Sequence, residues 1–557
     1  MRLIDRPAGR SRLSAESLFV FGAPLLWLAL YNFRFWEATA TAMWHPALGS
    51  AAFMVSLFIL AALAQTLLLV LLPRVLLRPV ACALFIAASL VAYFSDTFGV
   101  FMDKDMLRNV FATEAAEVAG LISFKLIAYF VLLGLLPCVL IYKLPLARIG
   151  WRQRLKERAG LMVLLLVLSL AGLFALSPAY ASFFREHKPI RYLLNPVSAV
   201  YNSVELLIKQ HTGRKPTAIV QMGGPVKRLA PATAKPLMLF LVIGETARAG
   251  NFQLGGYPRP TNPELSRLDD LIYFKNTRSC GTATETSLPC IFSGVGREHF
   301  DIDEARHQTN LLDMLAQAGF DVQWRDNNTG CKGVCARIKH IEYHPDNVAN
   351  CHTQYCYDEN MATDLPGLLG GLAHDSVIVF HQIGSHGPAY WERYPPQFER
   401  FKPACQSTEL DRCAREAVVN AYDNTIAYTD HNLAHQIELL RQASDRVDSL
   451  LVYVSDHGES LGENGVYLHG MPYSIAPDNQ KQVPLMVWMS SGYEQRSGID
   501  AACLRTKVEA PLSHDNIFHS VMGALGVRND LYQASLDIFA TCRKPATAAD
   551  QTGRATD

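Results

Sequence analysis

The chain has 557 residues, and its 51 Lys and Arg balance its 51 Asp and Glu, so the formal net charge is zero. Binding a nucleic-acid backbone needs a basic excess, which excludes nucleic acid as the main partner. Half of the residues are hydrophobic and the mean hydropathy is +0.10, a high value that comes from long apolar runs confined to the first third of the chain.

Those runs are Ser17–Phe33, Ala51–Leu72, Pro79–Ser95, Leu126–Tyr142 and Ala159–Ser177. A helix crosses a bilayer with about 20 apolar residues, within a range of roughly 17–25. Each run, with flanking residues where needed, is predicted to span, giving a five-helix transmembrane domain over residues 1–180. Arg2, Arg6, Arg10 and Arg12 precede the first span, and Arg74 and Arg78 join the second to the third. Lys143, Arg148, Arg152, Arg154, Lys156 and Arg158 join the fourth to the fifth. The positive-inside rule places these segments in the cytoplasm and everything after Ser177 outside. The first run fits this charge pattern as an uncleaved anchor rather than a signal peptide.

The longer outer loop covers residues 96–125. In it Asn109, Thr113 and Glu117 fall four apart, one stripe of a helix. From the residues alone this stripe reads as a solvated face. Residues 181–236 are predicted as a bridging helix and linker. "YLLNPVSAVYNSVELLIKQ" has helical apolar spacing and suits a membrane surface, and "RKPTAIVQMGGPVKRLAPATAKP" is rich in Pro, Gly and Lys. A globular domain is expected over 237–544, and the polar tail 545–557 is expected to be disordered.

Ten of the twelve cysteines lie from Cys280 onward. They form close pairs, Cys280/Cys290, Cys331/Cys335, Cys351/Cys356 and Cys405/Cys413, leaving Cys503 and Cys542. An even number in an exported domain reads as a disulfide framework. Cys82 and Cys138 sit in apolar spans as small hydrophobes.

Within the globular domain four apolar runs end in chemically capable residues. "LMLFLVIGE" ends at Glu245, "FDVQWRDNN" leads to Asn328 and Lys332, "SVIVFHQIGSHG" leads to His386, and "LLVYVSDHGE" ends at Asp456, His457 and Glu459. Helical patterns lie between them. The expected fold is therefore α/β, with a mostly parallel sheet flanked by helices. Ligands in such sheets bind beyond the carboxyl ends of the strands, where these residues would converge.

Glu245, Asp456 and His457 offer the oxygen and nitrogen donors that zinc takes, with a position left for a reacting group. "SCGTATETSLPC" brackets Thr282, Thr284, Thr286 and Ser287 between two cysteines. A hydroxyl becomes a nucleophile when a dication stabilises its alkoxide, and amides opening a helix there would face a phosphate. Spacing does not say which hydroxyl reacts. His386 and His469 can protonate a leaving group, bind a second metal or contact phosphate. Lys332, in "CKGVC", is a point charge for phosphate.

The segments "GETARAGNFQLGGYPRPTNPEL", "SCGTATETSLPC", "CKGVC", "SHGPAYWERYP" and "SDHGESLGENGVYLHG" resemble the lipid A phosphoethanolamine transferases, the family of the polymyxin (colistin) resistance enzymes. The likeness covers essentially the whole chain and implies a periplasmic domain of alkaline phosphatase/sulfatase type. It implies that Glu245, Thr284, Asp456 and His457 hold zinc and that Thr284 is the nucleophile. One zinc ion, or two, is implied, with His386 and His469 contacting phosphate or the second ion. It also implies substrate contacts at Thr329 and Lys332 and phosphoethanolamine-binding roles for Asn109, Thr113 and Glu117, in place of the solvated face. The implied donor is phosphatidylethanolamine and the implied acceptor is a lipid A phosphate. The implied setting is the bacterial inner membrane, as a multi-pass monomer with its catalytic domain in the periplasm. Transfer of phosphoethanolamine or phosphoglycerol to core sugars or another periplasmic glycan is the alternative. Glu285-Thr286, after the nucleophile, departs from the small apolar residues that relatives often have there.

Overall fold

The computed structural model describes residues 13–44, 48–112, 118, 121–146, 149–212, 218–229, 235–345, 348, 351–352 and 355–544. The tail 545–557 and the first four arginines lie outside them. The chain divides into two compact units, Met1–Leu107 with Ile122–Thr212, and Arg108–Leu121 with Gly213–Asp557.

The first unit is helical. It contains α1 (Ala15–Leu30), α2 (Phe33–Met43), α3 (Leu48–Val70), α4 (Arg74–Phe98), α5 (Phe124–Lys143) and α6 (Trp151–Ala175). The helices α3 to α6 are each long and apolar enough to cross a membrane, and α1 with α2 makes a fifth span if taken as one, bent by 67°. The run expected as one span, Ser17–Phe33, therefore breaks at its end. The cause is a polar residue at the break. Asn32 Nδ2 donates to the Trp27 carbonyl at 2.8 Å and to the Asn195 carbonyl at 2.7 Å. Asn195 N returns a bond to Asn32 Oδ1 at 2.8 Å. Asn195 Nδ2 donates to the Ala88 carbonyl at 2.8 Å, and Gln65 Nε2 to the Asn195 carbonyl at 2.9 Å. This buried amide staple satisfies backbone groups that have no water to turn to. It also ties the segment after the last span into the bundle, just before the helices' successor α7 (Val197–Thr212).

The ionisable Glu16 inside the bundle is paired, as the low dielectric requires. Glu16 is fully buried and lies 2.7 Å from both Arg154 Nε and Arg158 Nη2. Arg158 also donates to the Val70 and Leu72 carbonyls at 2.6 and 2.9 Å, which caps the end of α3. Leu132, Leu136, Val163 and Phe174 expose their apolar side chains, as a lipid-facing surface would.

The second unit is built on an eight-stranded sheet. Its strands are β1 (Leu237–Gly244), β2 (Ile272–Arg278), β3 (Asp321–Asp326), β4 (Lys339–Glu342), β5 (Ser376–His381), β6 (Asp448–Ser455), β7 (Gln482–Met489) and β8 (Leu512–Ser513). The spatial order is β8-β2-β7-β6-β1-β5-β3-β4. Every neighbouring pair is parallel except the two made by β7. All eight residues of β1 are buried, and they alternate between two cores. Leu237, Leu239, Leu241 and Ile243 face one, with Leu288, Leu312, Met314 and Phe518. Met238, Phe240 and Val242 face the other, with Val418, Tyr422, Ile426 and Leu440. The latter come from the helix Arg415–Gln442. Helices thus cover both faces, which is why β1 reads as an unbroken apolar run.

The four runs with polar ends are β1, β3, β5 and β6, adjacent in the sheet. Part of the expected linker is engaged with this unit. Lys227–Arg228 pairs antiparallel with Val527–Arg528, and Val220 bridges to Gln308.

Asn32→Ala leaves the buried Asn195 amide without its acceptor, a loss of about 1–3 kcal/mol. A lower thermal unfolding temperature of the full chain in detergent is the expected outcome, and an unchanged one would show that the staple does not hold the bundle.

Candidate active site

Strand register builds the centre of the site. Gly244 of β1 lies opposite Ser455 of β6, and the Asp456 amide donates to the Gly244 carbonyl at 2.9 Å. The next residue on each strand, Glu245 and Asp456, therefore emerges beside the other, with His457 following. One ligand atom from each of Glu245, Asp456 and His457 lies within 4.8 Å of the others, and all three residues are fully buried. Thr246 turns the chain away with a φ of +52°, held by Tyr422 Oη donating to its carbonyl at 2.7 Å.

β2 pairs antiparallel with β7, which pairs antiparallel with β6. β2 therefore runs in the same direction as β6 and delivers residues 279–283 to the same edge. Thr284 then opens the helix Thr284–Ile291. Its Oγ1 donates toward Glu245 Oε1 and Oε2 at 3.1 and 3.0 Å and lies 3.3 Å from His457 Nε2. The other hydroxyls of the loop that hydrogen-bond are turned elsewhere. Thr282 Oγ1 donates to the Met471 carbonyl at 2.6 Å, and Ser287 Oγ accepts from the Gly281 amide at 2.9 Å.

The loop is held from several directions. Cys280 is bonded to Cys290, and Cys331–Cys335, Cys351–Cys356, Cys405–Cys413 and Cys503–Cys542 complete the framework. The Cys280 amide donates to His514 Nδ1 at 3.0 Å, and His514 Nε2 donates to the Ser455 carbonyl at 2.9 Å. His514 thus ties the Thr284 loop to the strand that carries Asp456. Burial pushes His514 down to about 3, which keeps the neutral tautomer that this bridge needs.

The centre concentrates buried charge. Burial, then the charge of Glu245, push the Asp456 carboxyl up to about 6. Burial would lower His457, but the charge of Asp456 and the hydrogen bond to Glu245 outweigh it and raise it to about 10. Burial would raise Glu245, yet the hydrogen bond and charge of His457 hold it below the usual carboxylate range. Asp456 Oδ2 is buried without a hydrogen-bond partner. His457 Nδ1 donates to the Gly458 carbonyl at 3.0 Å, leaving Nε2 on the side of Glu245 and Thr284. Two carboxylates, an imidazole with its second nitrogen so oriented, and a hydroxyl form a donor set that fits zinc.

Two further histidines stand beside this centre. The His469 ring is 4.4 Å from that of His457 and 5.7 Å from that of His386. His469 Nδ1 is 3.1 Å from Glu459 Oε2. Burial drives His386 down to about 3, so it is neutral near pH 7. Thr329 and Lys332 connect to the centre through Asn328. Asn328 Nδ2 donates to Glu245 Oε2 at 2.7 Å, and its Oδ1 accepts from the Thr329 amide at 2.8 Å. Lys332 Nζ donates to Thr329 O and Oγ1 at 2.6 and 2.9 Å. Asn109 lies on the helix Lys104–Ala112, and Thr113 and Glu117 lie outside the described residues. Glu285 has a partner. It is 5 % exposed and forms an ion pair with Arg306, which neutralises a carboxylate next to Thr284.

Residues 58–211 match the family described as phosphoethanolamine transferase EptA/EptB, and residues 238–527 match the sulfatase family. Phosphoethanolamine transferase EptA of Escherichia coli K12 is 41 % identical over 476 residues, 84 % of this chain and 86 % of its own. The chain belongs to the phosphoethanolamine transferase family. Phosphatidylethanolamine transferase Mcr-1 of Escherichia coli is 38 % identical over 82 % of this chain and 85 % of its own. Among solved structures, the integral membrane lipooligosaccharide phosphoethanolamine transferase A of Neisseria meningitidis superposes with a TM-score of 0.91. That match is 33 % identical and covers 96 % of this chain and 99 % of the other. This transferase thus joins a helical membrane unit to an α/β unit of sulfatase type.

Asn328, Glu459 and His514 contribute to the site although no motif reading assigned them a role. Asn328 and Glu459 do follow apolar strand runs, the signal that marked Glu245. His514 has no such signal, because its partners are 234 and 59 residues away in sequence.

Gly384 has a φ of +50°, and a Cβ on it would lie 2.8 Å from the Glu245 carbonyl oxygen and 2.9 Å from its amide nitrogen. Gly384→Ala should displace Glu245 and weaken zinc binding by about tenfold or more, measured by titration with a competing chelator. Affinity equal to wild type would mean that Glu245 does not help to hold the metal.

Proposed function

We propose that this transferase moves phosphoethanolamine from phosphatidylethanolamine to a phosphate of lipid A through a covalent phosphoethanolamine intermediate on Thr284. The carrying observation is the placement of Thr284 Oγ1, the one loop hydroxyl bonded to Glu245 and beside His457. The relatives named as phosphoethanolamine and phosphatidylethanolamine transferases support this choice of donor.

Zinc held by Glu245, Asp456 and His457, with Thr284 as fourth donor, would favour the alkoxide of Thr284 and offset charge on the phosphoryl oxygens. In the first half-reaction Thr284 Oγ1 attacks the donor phosphorus, the bond to the glycerol oxygen breaks, and diacylglycerol leaves with a proton. His469 is placed to carry that proton, since Glu459 engages its Nδ1 and its ring lies against His457. In the second half-reaction an acceptor phosphate hydroxyl attacks the same phosphorus and gives up its proton, the bond to Thr284 breaks, and that proton returns to Thr284 Oγ1. The Thr284 and Glu285 amides, first in the helix Thr284–Ile291, have no intrahelical acceptor and would favour a phosphoryl group there, whereas those of Thr286 and Ser287 donate to the Ala283 carbonyl. Thr329 and Lys332, linked to Glu245 through Asn328, act as substrate contacts, and Asn109, Thr113 and Glu117 bind the phosphoethanolamine head group.

Both substrates are lipids, so the enzyme works at the outer face of the bacterial inner membrane, where its apolar helices hold it. A soluble enzyme would instead have to extract its donor at about 0.8 kcal/mol per exposed methylene. Adding an ethanolamine cation masks acceptor charge and would confer resistance to polymyxin and cationic peptides.

Mass spectrometry of lipid A from cells expressing the wild type and Thr284→Ala tests this reading. Phosphoethanolamine-bearing lipid A is expected only with the wild type. Unmodified lipid A in both, with another glycan modified, would replace the acceptor by a core sugar or periplasmic glycan. A second test is metal removal. Chelation should abolish transfer and zinc should restore it, and zinc at about 100 times its Kd should stabilise the full chain by about 2.7 kcal/mol. Undiminished transfer in metal-free enzyme would remove zinc from the mechanism.

A further inference from the structure

The nucleophile loop has a second, cationic boundary. Tyr473 Oη donates to the Ser279 carbonyl at 2.9 Å, and Arg297 Nε donates to the Cys280 carbonyl at 2.8 Å. The Arg297 guanidinium carbon lies 3.5 Å from the Tyr473 ring centroid, and Lys481 Nζ lies 5.4 Å from the same centroid. Tyr473 belongs to the loop that carries His469. That loop is bound to the nucleophile loop where the Gly470 amide donates to the Thr282 carbonyl and Thr282 Oγ1 donates to the Met471 carbonyl.

Both cations are pre-oriented and incompletely neutralised. Arg297 is fixed through Nε and by stacking, while Nη1 and Nη2 make no hydrogen bond among the described residues. A guanidinium held this way presents a fork that matches a phosphate at little further cost in entropy. The Lys481 side chain is 14 % exposed, and its nearest carboxylate oxygen, Asp478 Oδ1, is 3.9 Å away. Asp478 is shared with Arg278 at 3.0 Å. Burial, with the charges of Arg278 and Arg297 working against that of Asp478, holds the Lys481 ammonium below its ordinary value. Around Tyr473 the charged groups are Arg278, Arg297 and Lys481 against Asp478 and Asp515. An anion would relieve this excess.

We propose that Arg297 and Lys481 form an anion subsite for a second anionic group of the acceptor glycolipid, while its reacting phosphate meets Thr284. This rests on the transfer reaction proposed above. Phosphatidylethanolamine has a single phosphate, which must lie at Thr284 for the first half-reaction. An anion bound beside the loop therefore comes from the acceptor. The subsite would let the enzyme select an acceptor with two anionic groups over water and over singly charged lipids.

The test uses the full chain in detergent, with bisphosphoryl and monophosphoryl lipid A as probes. Lys481→Gln is the main variant, because its ammonium makes no hydrogen bond to the nucleophile loop. Its KM for the bisphosphoryl acceptor should rise about tenfold with kcat retained, equivalent to about 1.4 kcal/mol of binding. Its KM for the monophosphoryl acceptor should stay at the wild-type value. Arg297→Gln should act in the same direction. Direct binding is measured in the Thr284→Ala background, where turnover plays no part. There Lys481→Gln should weaken bisphosphoryl lipid A binding about tenfold and leave monophosphoryl binding unchanged. Equal binding by both proteins, or equal weakening for both probes, would overturn the subsite. A binding difference without transfer by the wild type would overturn the proposed reaction and leave the subsite standing.

Discussion

The register of β1 against β6 is the constraint on which the rest depends. Parallel pairing sets Gly244 opposite Ser455, and the next residues are Glu245, Asp456 and His457. A slip of one residue would turn the side chains of one strand to the opposite face. With the register correct, two carboxylates sit together out of water, where like charges are hard to hold without a cation. The core enforces that register. All eight residues of β1 and all eight of β6 are buried, so each must present its alternating faces to the right layer.

The orientation of Thr284 follows from a second constraint, the fixing of residues 279–283. The Cys280–Cys290 bond closes a loop of ten residues, and closures of that size stabilise by about 3 kcal/mol in the chain-entropy account. A loop with both ends closed can still face several ways. His514, Arg297, Tyr473 and the Gly470 amide each take one of its backbone groups. With those groups satisfied, Thr282 turns to the Met471 carbonyl and Thr284 turns to Glu245. The Glu285–Arg306 pair fits the same picture. A carboxylate next to Thr284 would add to the negative charge of Glu245 and Asp456, and the guanidinium offsets it.

The membrane unit solves a different problem with the same rule. Polar groups removed from water must find partners inside the protein. Asn32, Gln65 and Asn195 do so by bonding to backbone carbonyls and to each other. Glu16 does so with Arg154 and Arg158. Each set joins segments far apart in sequence, so these contacts specify which helices meet, while Gln65 Oε1 and Asn195 Oδ1 keep no hydrogen-bond partner among the described residues.

Apolar length made the spanning helices α3 to α6 legible, since a bilayer admits only about 20 apolar residues per helix. The polar ends of four strand runs were legible for the same reason, because a buried parallel strand is an unbroken apolar run until it leaves the sheet. Glu245, Asp456 and His457 followed from that pattern. The break at Asn32, the short strand at Lys227–Arg228, and β2 and β7, which lie between the Thr284 loop and β6, are not legible there. Their identity depends on partners such as Asn195 and Val527 that no local pattern announces. Which hydroxyl faces Glu245 and His457 is likewise beyond spacing, and the motif resemblance alone points to Thr284. The sequence by itself determined the membrane helices, the sheet class and the residue types at the strand ends, because those depend on local hydropathy. Only the tertiary structure decided strand register, the orientation of Thr284, and the roles of Asn328, His514 and Arg306. Those are contacts between residues tens to hundreds of positions apart, and they form only when the chain closes on itself.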